Sequence, residues 1–175
     1  MNYNEQLKEV RSFAIKAHDG QKYGAFPYEV HLMSVLSTLL KFNIFPTNEE
    51  HYKILAGAWL HDVLEDTDIS KNEFINHFGE AIFDIVWSVT DGEGEDRKAR
   101  KNIMYSRLIH NQQAIIVKLA DRIANVEASI ILGNEAKLAM YQSEMEQLSA
   151  VLANKITTKV GNMLFGYLKL LTDYY

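Results

Sequence analysis

The spacing of apolar residues predicts an all-α fold, a single domain built from roughly eight to ten helices. Three observations predict it. Apolar side chains recur at i, i+3 and i+4 almost throughout, and no segment alternates as a half-buried strand would. Capping residues stand before the periodic runs, and glycines follow several of them. Only two prolines interrupt 175 residues, and a chain of that length can bury a sizeable core.

The elements follow in order. Leu7, Val10, Phe13, Ala14 and Ala17 form one stripe, so a first helix runs from about Tyr3 to His18. "DGQKYGAFP" is a loop by its glycines and proline. A second helix starts near Pro27 or Tyr28 and ends near Lys41, where "NIFPTNEE" breaks it. Thr47 with Glu50 reads as a capping box for a third helix, which carries the chain to "LHDVLEDTD". Ser70 with Glu73 repeats that signal for "KNEFINHF", and Gly79 separates it from "EAIFDIVWSVT". Phe74, Phe78, Phe83 and Trp87 fall at helical intervals there and read as core. After the loop "DGEGED" come a charged helix, "RKARKNIMYSRLI", and a buried one, "QQAIIVKLADRIANVEASIIL". Gly133-Asn134 turns the chain into two last helices, with Gly161 as a candidate break.

Bulk properties exclude several classes. A formal charge of −5 argues against a nucleic-acid polymer as partner, because its backbone needs a basic face. No apolar run approaches the roughly 18 residues that span a bilayer, and "MNYNEQLKEV" lacks the order of a signal peptide. The absence of cysteine removes disulfides, thiolate metal sites and thiol nucleophiles, and fits a cytoplasmic protein. The amphipathic "LFGYLKLLTDYY" is expected to dock onto the bundle or onto a second copy of the chain, not onto a membrane.

One cluster carries chemistry. His61, Asp62, Glu65 and Asp66 follow directly on the apolar run "ILAGAWL". On a helix His61 shares a face with Glu65, and Asp62 with Asp66. An imidazole and a carboxylate from one turn can begin a metal site, and ligands without sulfur suit Mn²⁺, Fe²⁺ or Zn²⁺. Two more ligands must come from elsewhere. His31 lies in an apolar helical context, and Asp121 is an acid set into a buried helix, costly unless paired or coordinated. Singly, His31 reads more often as a core histidine and Asp121 as half of an ion pair with Arg122. The combination, H then HD then a distant D, is the signal. His18, before "DG" at a helix end, reads as capping or packing, and His51, His77 and His110 sit in polar stretches.

With these segments in view, the chain resembles the HD-domain phosphohydrolases. Within them it is most similar to the hydrolase half of the RelA/SpoT alarmone enzymes and to the free-standing small alarmone hydrolases. The matching segments are "AHDGQ", "PYEVH", "AWLHDVLEDTD", "FGEAIFDIVWSVT" and "VKLADRIANV", spread over most of residues 13–130. The resemblance implies one HD-type domain over 1–175, with packing helices at about 135–173. It implies His31, His61, Asp62 and Asp121 as ligands of a divalent metal, usually Mn²⁺. Glu65 and Asp66 would orient and deprotonate the attacking water. The implied reaction removes the 3′-pyrophosphate from ppGpp or pppGpp, and a chain too short for the synthetase half would only degrade.

The match departs at the recognition loop. Where the family reads "RKSGEPY", this chain has "KYGAFPY", one residue shorter. Lys22 would keep one cationic contact and Tyr23 could stack on a base. Leu32 replaces the proline after the first histidine, and "NVEA" replaces "NMRT", putting Glu127 at a basic position while Asn125 is retained to contact sugar or base. In "DRKARK", Arg97, Lys98, Arg100 and Lys101 could neutralise a polyphosphate, with Arg100 and Lys101 the leading candidates. The departures leave a second reading, a phosphatase or phosphodiesterase of the superfamily acting on NADPH or a mononucleotide. A third is a nucleotide-binding domain without activity.

Overall fold

The computed structural model describes residues 2–175. Its backbone is helical apart from one two-residue ladder. In chain order come α1 (Tyr3–Ala17), β1 (Lys22–Tyr23), β2 (Phe26–Pro27), α2 (Glu29–Lys41), α3 (Glu49–Leu60), α4 (Val63–Asp66), α5 (Lys71–Phe78) and α6 (Glu80–Val89). Then follow α7 (Arg97–Leu108), α8 (Gln112–Ile131), α9 (Glu135–Leu152) and α10 (Lys159–Tyr174). The all-α expectation holds. The hairpin lies inside the expected loop, where Gly24 at φ 61° lets the chain reverse and pair Tyr23 with Phe26.

Most boundaries follow local signals. Ser70 Oγ accepts the Glu73 N–H at the start of α5, and Asp96 Oδ1 accepts the Ala99 N–H at the start of α7. At α3 the cap is one residue later than the sequence suggests. Asn48, not Thr47, is the capping residue, its Oδ1 accepting the His51 N–H, because Thr47 instead turns its hydroxyl back to the Phe45 carbonyl. Gly161 does not break a helix; its N–H meets Thr158 Oγ1 in the first turn of α10.

α8 is the axis of the bundle, with Ala114–Val117, Leu119–Ala124, Val126 and Ser129 buried against α2, α3, α6 and α10. α10 docks on it through Leu164, Leu168 and Leu171, so the amphipathic C-terminal segment covers the bundle. No helix among the described residues is long and apolar enough to cross a membrane.

Two hydrophobic clusters meet at α3. Ile54, Leu55 and Ala58 join the larger one around α8, while Ala56, Trp59 and Leu60 join a smaller one with Val10, Phe74 and Val86. Every residue from Ile54 to Leu60 is buried, so His61 emerges from a helix end packed on all sides. Gly57 permits this: a Cβ there would lie 2.7 Å from Ile85 Cγ2 on α6. Gly57→Ala is expected to lower stability by about 1–3 kcal/mol despite its better helix propensity, because the α3–α6 crossing must open. A denaturant melt checks it.

Candidate active site

α3 stops at Leu60, and His61-Asp62 forms a short turn before α4. The third helix ends at the His-Asp pair as expected, and the helical spacing assumed from His61 to Asp66 is interrupted by that turn. Both residues keep right-handed backbone angles, but the turn brings Asp62 Oδ2 to 2.9 Å from His61 Nε2. The Ala58 carbonyl accepts a hydrogen bond from His61 Nδ1 at 2.8 Å, which leaves the Nε2 lone pair facing inward. His31, in the first turn of α2, places Nε2 3.2 Å from that nitrogen and 3.5 Å from Asp62 Oδ2. Its ring is stacked against Tyr23 at 4.8 Å and flanked edge-on by Tyr28. Asp121, midway along α8, brings Oδ1 to 3.4 Å from His31 Nε2 and 3.6 Å from His61 Nε2.

His31, His61 and Asp121 are all buried and offer donor atoms within 4.8 Å of one another. Edges of about 3 Å are what donors around one first-row divalent cation at roughly 2.1 Å make. The four side chains therefore fit such a cation. Electrostatics agrees. Burial would lower the His61 pKa, yet Asp62 and Asp121 outweigh it and hold it well above its ordinary value. Burial would raise Asp62 and Asp121, but the imidazoles, and Lys118 beside Asp121, hold both well below the carboxylate range. Two acids facing two imidazoles demand positive charge, and a cation would displace protons on entering.

The surrounding residues orient this cluster. Tyr28 donates to Asp62 Oδ2 at 2.5 Å and reaches Asp66 Oδ2 at 3.4 Å. Asn125 donates Nδ2 to Asp121 Oδ1 at 2.6 Å, while its own Oδ1 accepts from the Tyr23 hydroxyl at 2.8 Å. Lys118, one turn before Asp121, holds the other carboxylate oxygen at 3.3 Å. Asp121 is thus left one inward-facing oxygen.

The cluster floors a cavity of about 170 Å³ whose lining includes Glu65, Asp66 and Asp91 together with Arg97, Lys101 and Arg122, with Lys101 Nζ 3.9 Å from Asp91 Oδ1. Glu65 Oε2 accepts the Asp91 N–H at 2.9 Å. Burial raises the Glu65 pKa, partly offset by that N–H and by Lys118. Burial and then Asp62 raise Asp66.

The sequence candidates divide clearly by position. His31, His61, Asp62, Asp121, Glu65, Asp66, Tyr23, Asn125 and Lys101 all border the site. Lys22 and Arg100 do not line the cavity. Lys22 is exposed on the hairpin strand whose next residue, Tyr23, turns inward. On α7, Arg97 and Lys101 share a face one turn apart, and Arg100 is rotated about 100° from Lys101. Tyr23 presents one ring face to His31, and Lys137 Nζ lies 5.5 Å over the ring, so a stacked base would have to compete for that ring. Tyr28, Asp91, Lys118, Arg122 and Tyr141 also line the site and were not among the candidates. His18, expected to pack, is buried against the Tyr28 ring at 4.5 Å.

An all-helical bundle with a histidine, a His-Asp turn and a distant aspartate converging beneath a cationic wall defines an HD-type helical protein. No protein-family model matches the chain. Human MESH1, a guanosine-3′,5′-bis(diphosphate) 3′-pyrophosphohydrolase, is 32% identical over 128 residues, 69% of this chain and 68% of that protein. The Aquifex aeolicus protein of the same enzyme name is 30% identical over 157 residues, 87% of this chain but 22% of its own length. The chain therefore spans about a fifth of the longer bacterial relatives, at 22% of both the Aquifex and Vibrio cholerae proteins. A solved structure of a metazoan SpoT ortholog that hydrolyses ppGpp superposes with a TM-score of 0.68 at 22% identity, covering 93% of this chain and 92% of that one. The chain belongs to the guanosine-3′,5′-bis(diphosphate) 3′-pyrophosphohydrolase family that includes MESH1.

Proposed function

We propose that this protein hydrolyses ppGpp and pppGpp, releasing pyrophosphate from the 3′ position with the help of a divalent cation, Mn²⁺ by preference. The observation that carries the reading is the convergence of two inward-facing imidazole nitrogens and two carboxylates at 2.9–3.6 Å in a cavity that Arg97, Lys101 and Arg122 also line. His31, His61, Asp62 and Asp121 hold the cation, which when bound supplies Lewis acidity toward water and a phosphoryl oxygen. Glu65 accepts the proton of the attacking water. Desolvation inside the cavity raises its pKa and makes it a stronger base than a freely solvated carboxylate, and the Asp91 N–H fixes one of its oxygens. Asp66 holds the same water in line. The water oxygen bonds to the proximal phosphorus of the 3′-pyrophosphate as the bond from that phosphorus to the 3′ oxygen breaks, and the 3′ oxygen takes up a proton, giving GDP or GTP and pyrophosphate. Lys101, Arg97 and Arg122 carry the charge of the phosphoryl oxygens.

Purified Mn²⁺-loaded protein, assayed on ppGpp, pppGpp, NADPH and mononucleotides with product identification, tests this. The highest kcat/KM is expected for ppGpp or pppGpp, with pyrophosphate as product. Hydrolysis of NADPH or a mononucleotide without cleavage of ppGpp would move the assignment to the second reading.

The cationic wall also sets a pH limit. Burial first, then the neighbouring Lys118 and Arg122 charges, push the Lys101 amine down to about 8. Below that pH it is an ammonium that attracts phosphate; above it the charge is lost. kcat/KM for ppGpp is expected to decline above about pH 8, and Lys101→Arg to extend the plateau, since a guanidinium stays charged. A pH–rate profile of both proteins checks this.

A further inference from the structure

Glu144 lies on α9, outside every motif that places the catalytic cluster. It accepts Arg97 Nε from α7 at 2.6 Å and Arg122 Nη1 from α8 at 2.5 Å. Arg122 is almost wholly buried, with its guanidinium 4.8 Å over the Tyr141 ring, and Glu144 itself is only 15% exposed. Two guanidiniums drawn together beside Lys101 and Lys118 repel one another, and a carboxylate between them offsets that repulsion. Each guanidinium has five N–H donors, and the bonds to Glu144 use one from each. Both arginines remain able to fork an oxyanion. Arg97 and Lys101 also line a neighbouring groove of about 560 Å³ between α7 and α9, so these two side chains border both the groove and the inner cavity.

Helix docking does not explain the arrangement. α9 buries Tyr141, Leu148 and Leu152, and Gln142 ties it to the Thr172 carbonyl of α10. An apolar side chain at position 144 would dock as well without desolvating the Arg122 and Glu144 charges. We propose that Glu144 is a positioning residue: it sets the guanidiniums of Arg97 and Arg122 side by side as a ready-made seat for a phosphoryl group of the substrate. The inference rests on the phosphate-substrate reading above and assigns α9 a part in substrate affinity.

The test compares wild type, Glu144→Gln, Glu144→Asp and Gln142→Ala as Mn²⁺-loaded full chains, measuring KM and kcat for ppGpp and calorimetric affinity for inorganic pyrophosphate. Glu144→Gln is expected to raise KM and weaken pyrophosphate binding about tenfold or more while kcat changes far less. Glu144→Asp, which keeps the charge, should recover part of the loss, and it carries the test should the glutamine variant melt below assay temperature. Gln142→Ala, which loosens α9 without touching the arginines, should leave both quantities near wild type. Unchanged affinity in Glu144→Gln, or an equal loss in Gln142→Ala, would overturn the proposal. Should wild type leave ppGpp intact, the pyrophosphate titrations still decide the seat, separately from the hydrolase assignment.

Discussion

Glu65→Gln is expected to remove most of the turnover while leaving cation uptake intact. Glutamine has nearly the same shape and can still accept the Asp91 N–H that Glu65 accepts at 2.9 Å, so the fold loses little. It cannot accept a proton. A general base contributes about 10²–10⁴-fold, and a loss of that size is expected in kcat, with KM for ppGpp little changed. Asp66→Asn should also lower kcat, by less, because Asp66 is solvent-exposed and its backbone carbonyl, which accepts from Gln21, survives the change. Steady-state kinetics beside a Mn²⁺ titration separates the two. Wild-type kcat in Glu65→Gln would take the base role away from this residue.

His61→Ala is the second large effect, and it acts on binding. His61 is almost wholly buried and lies within 3.6 Å of three other donor groups. Without its imidazole, Asp62 and Asp121 lose a shared cationic neighbour and the cation loses a ligand. Activity is expected to fall by at least about 10³-fold. Thermal melts give an independent readout. In wild type a cation at 100 times its Kd stabilises by about 2.7 kcal/mol, which for a chain of this size raises Tm by roughly 5–10 °C. His61→Ala should melt at the same temperature with and without Mn²⁺. A variant that kept the full metal-dependent rise would show that the cation sits elsewhere.

How much of this was legible in the sequence depends on the kind of signal. Helix periods placed α1, α2 and α5–α8 closely, because those faces are packed; the division between α9 and α10 falls between Leu152 and Lys159 and not at Gly161. The cap at Asn48 was misassigned to Thr47, since two capping-type residues stand side by side and only the turn at Phe45 decides between them. The hairpin Lys22–Pro27 was hidden because two paired residues carry no periodicity. The cluster residues could be singled out as ionisable groups embedded in apolar helices, and that incongruity is what brings His31, His61, Asp62 and Asp121 to one point.

Other members of the site carry no such mark. Asp91 looks like a turn residue in "DGEGED", and Glu144 like one of many acids on an exposed helix. Lys118 is different: three residues before Asp121 on a buried helix, it could have been found as its i, i+3 partner. Arg97 rather than Arg100 follows once Lys101 is known to face inward, because residues four apart share a face. Sequence reasoning identified charge in the wrong solvent, and the fold then decided which charges meet.

The most direct measurement is an anomalous difference map at the manganese edge from crystals grown with Mn²⁺. One peak per chain is expected, about 2.0–2.3 Å from His31 Nε2, His61 Nε2, Asp62 Oδ2 and Asp121 Oδ1. A map with no peak there, or with its only peak between Glu65 and Asp66, would contradict the assignment of these four side chains as the metal centre.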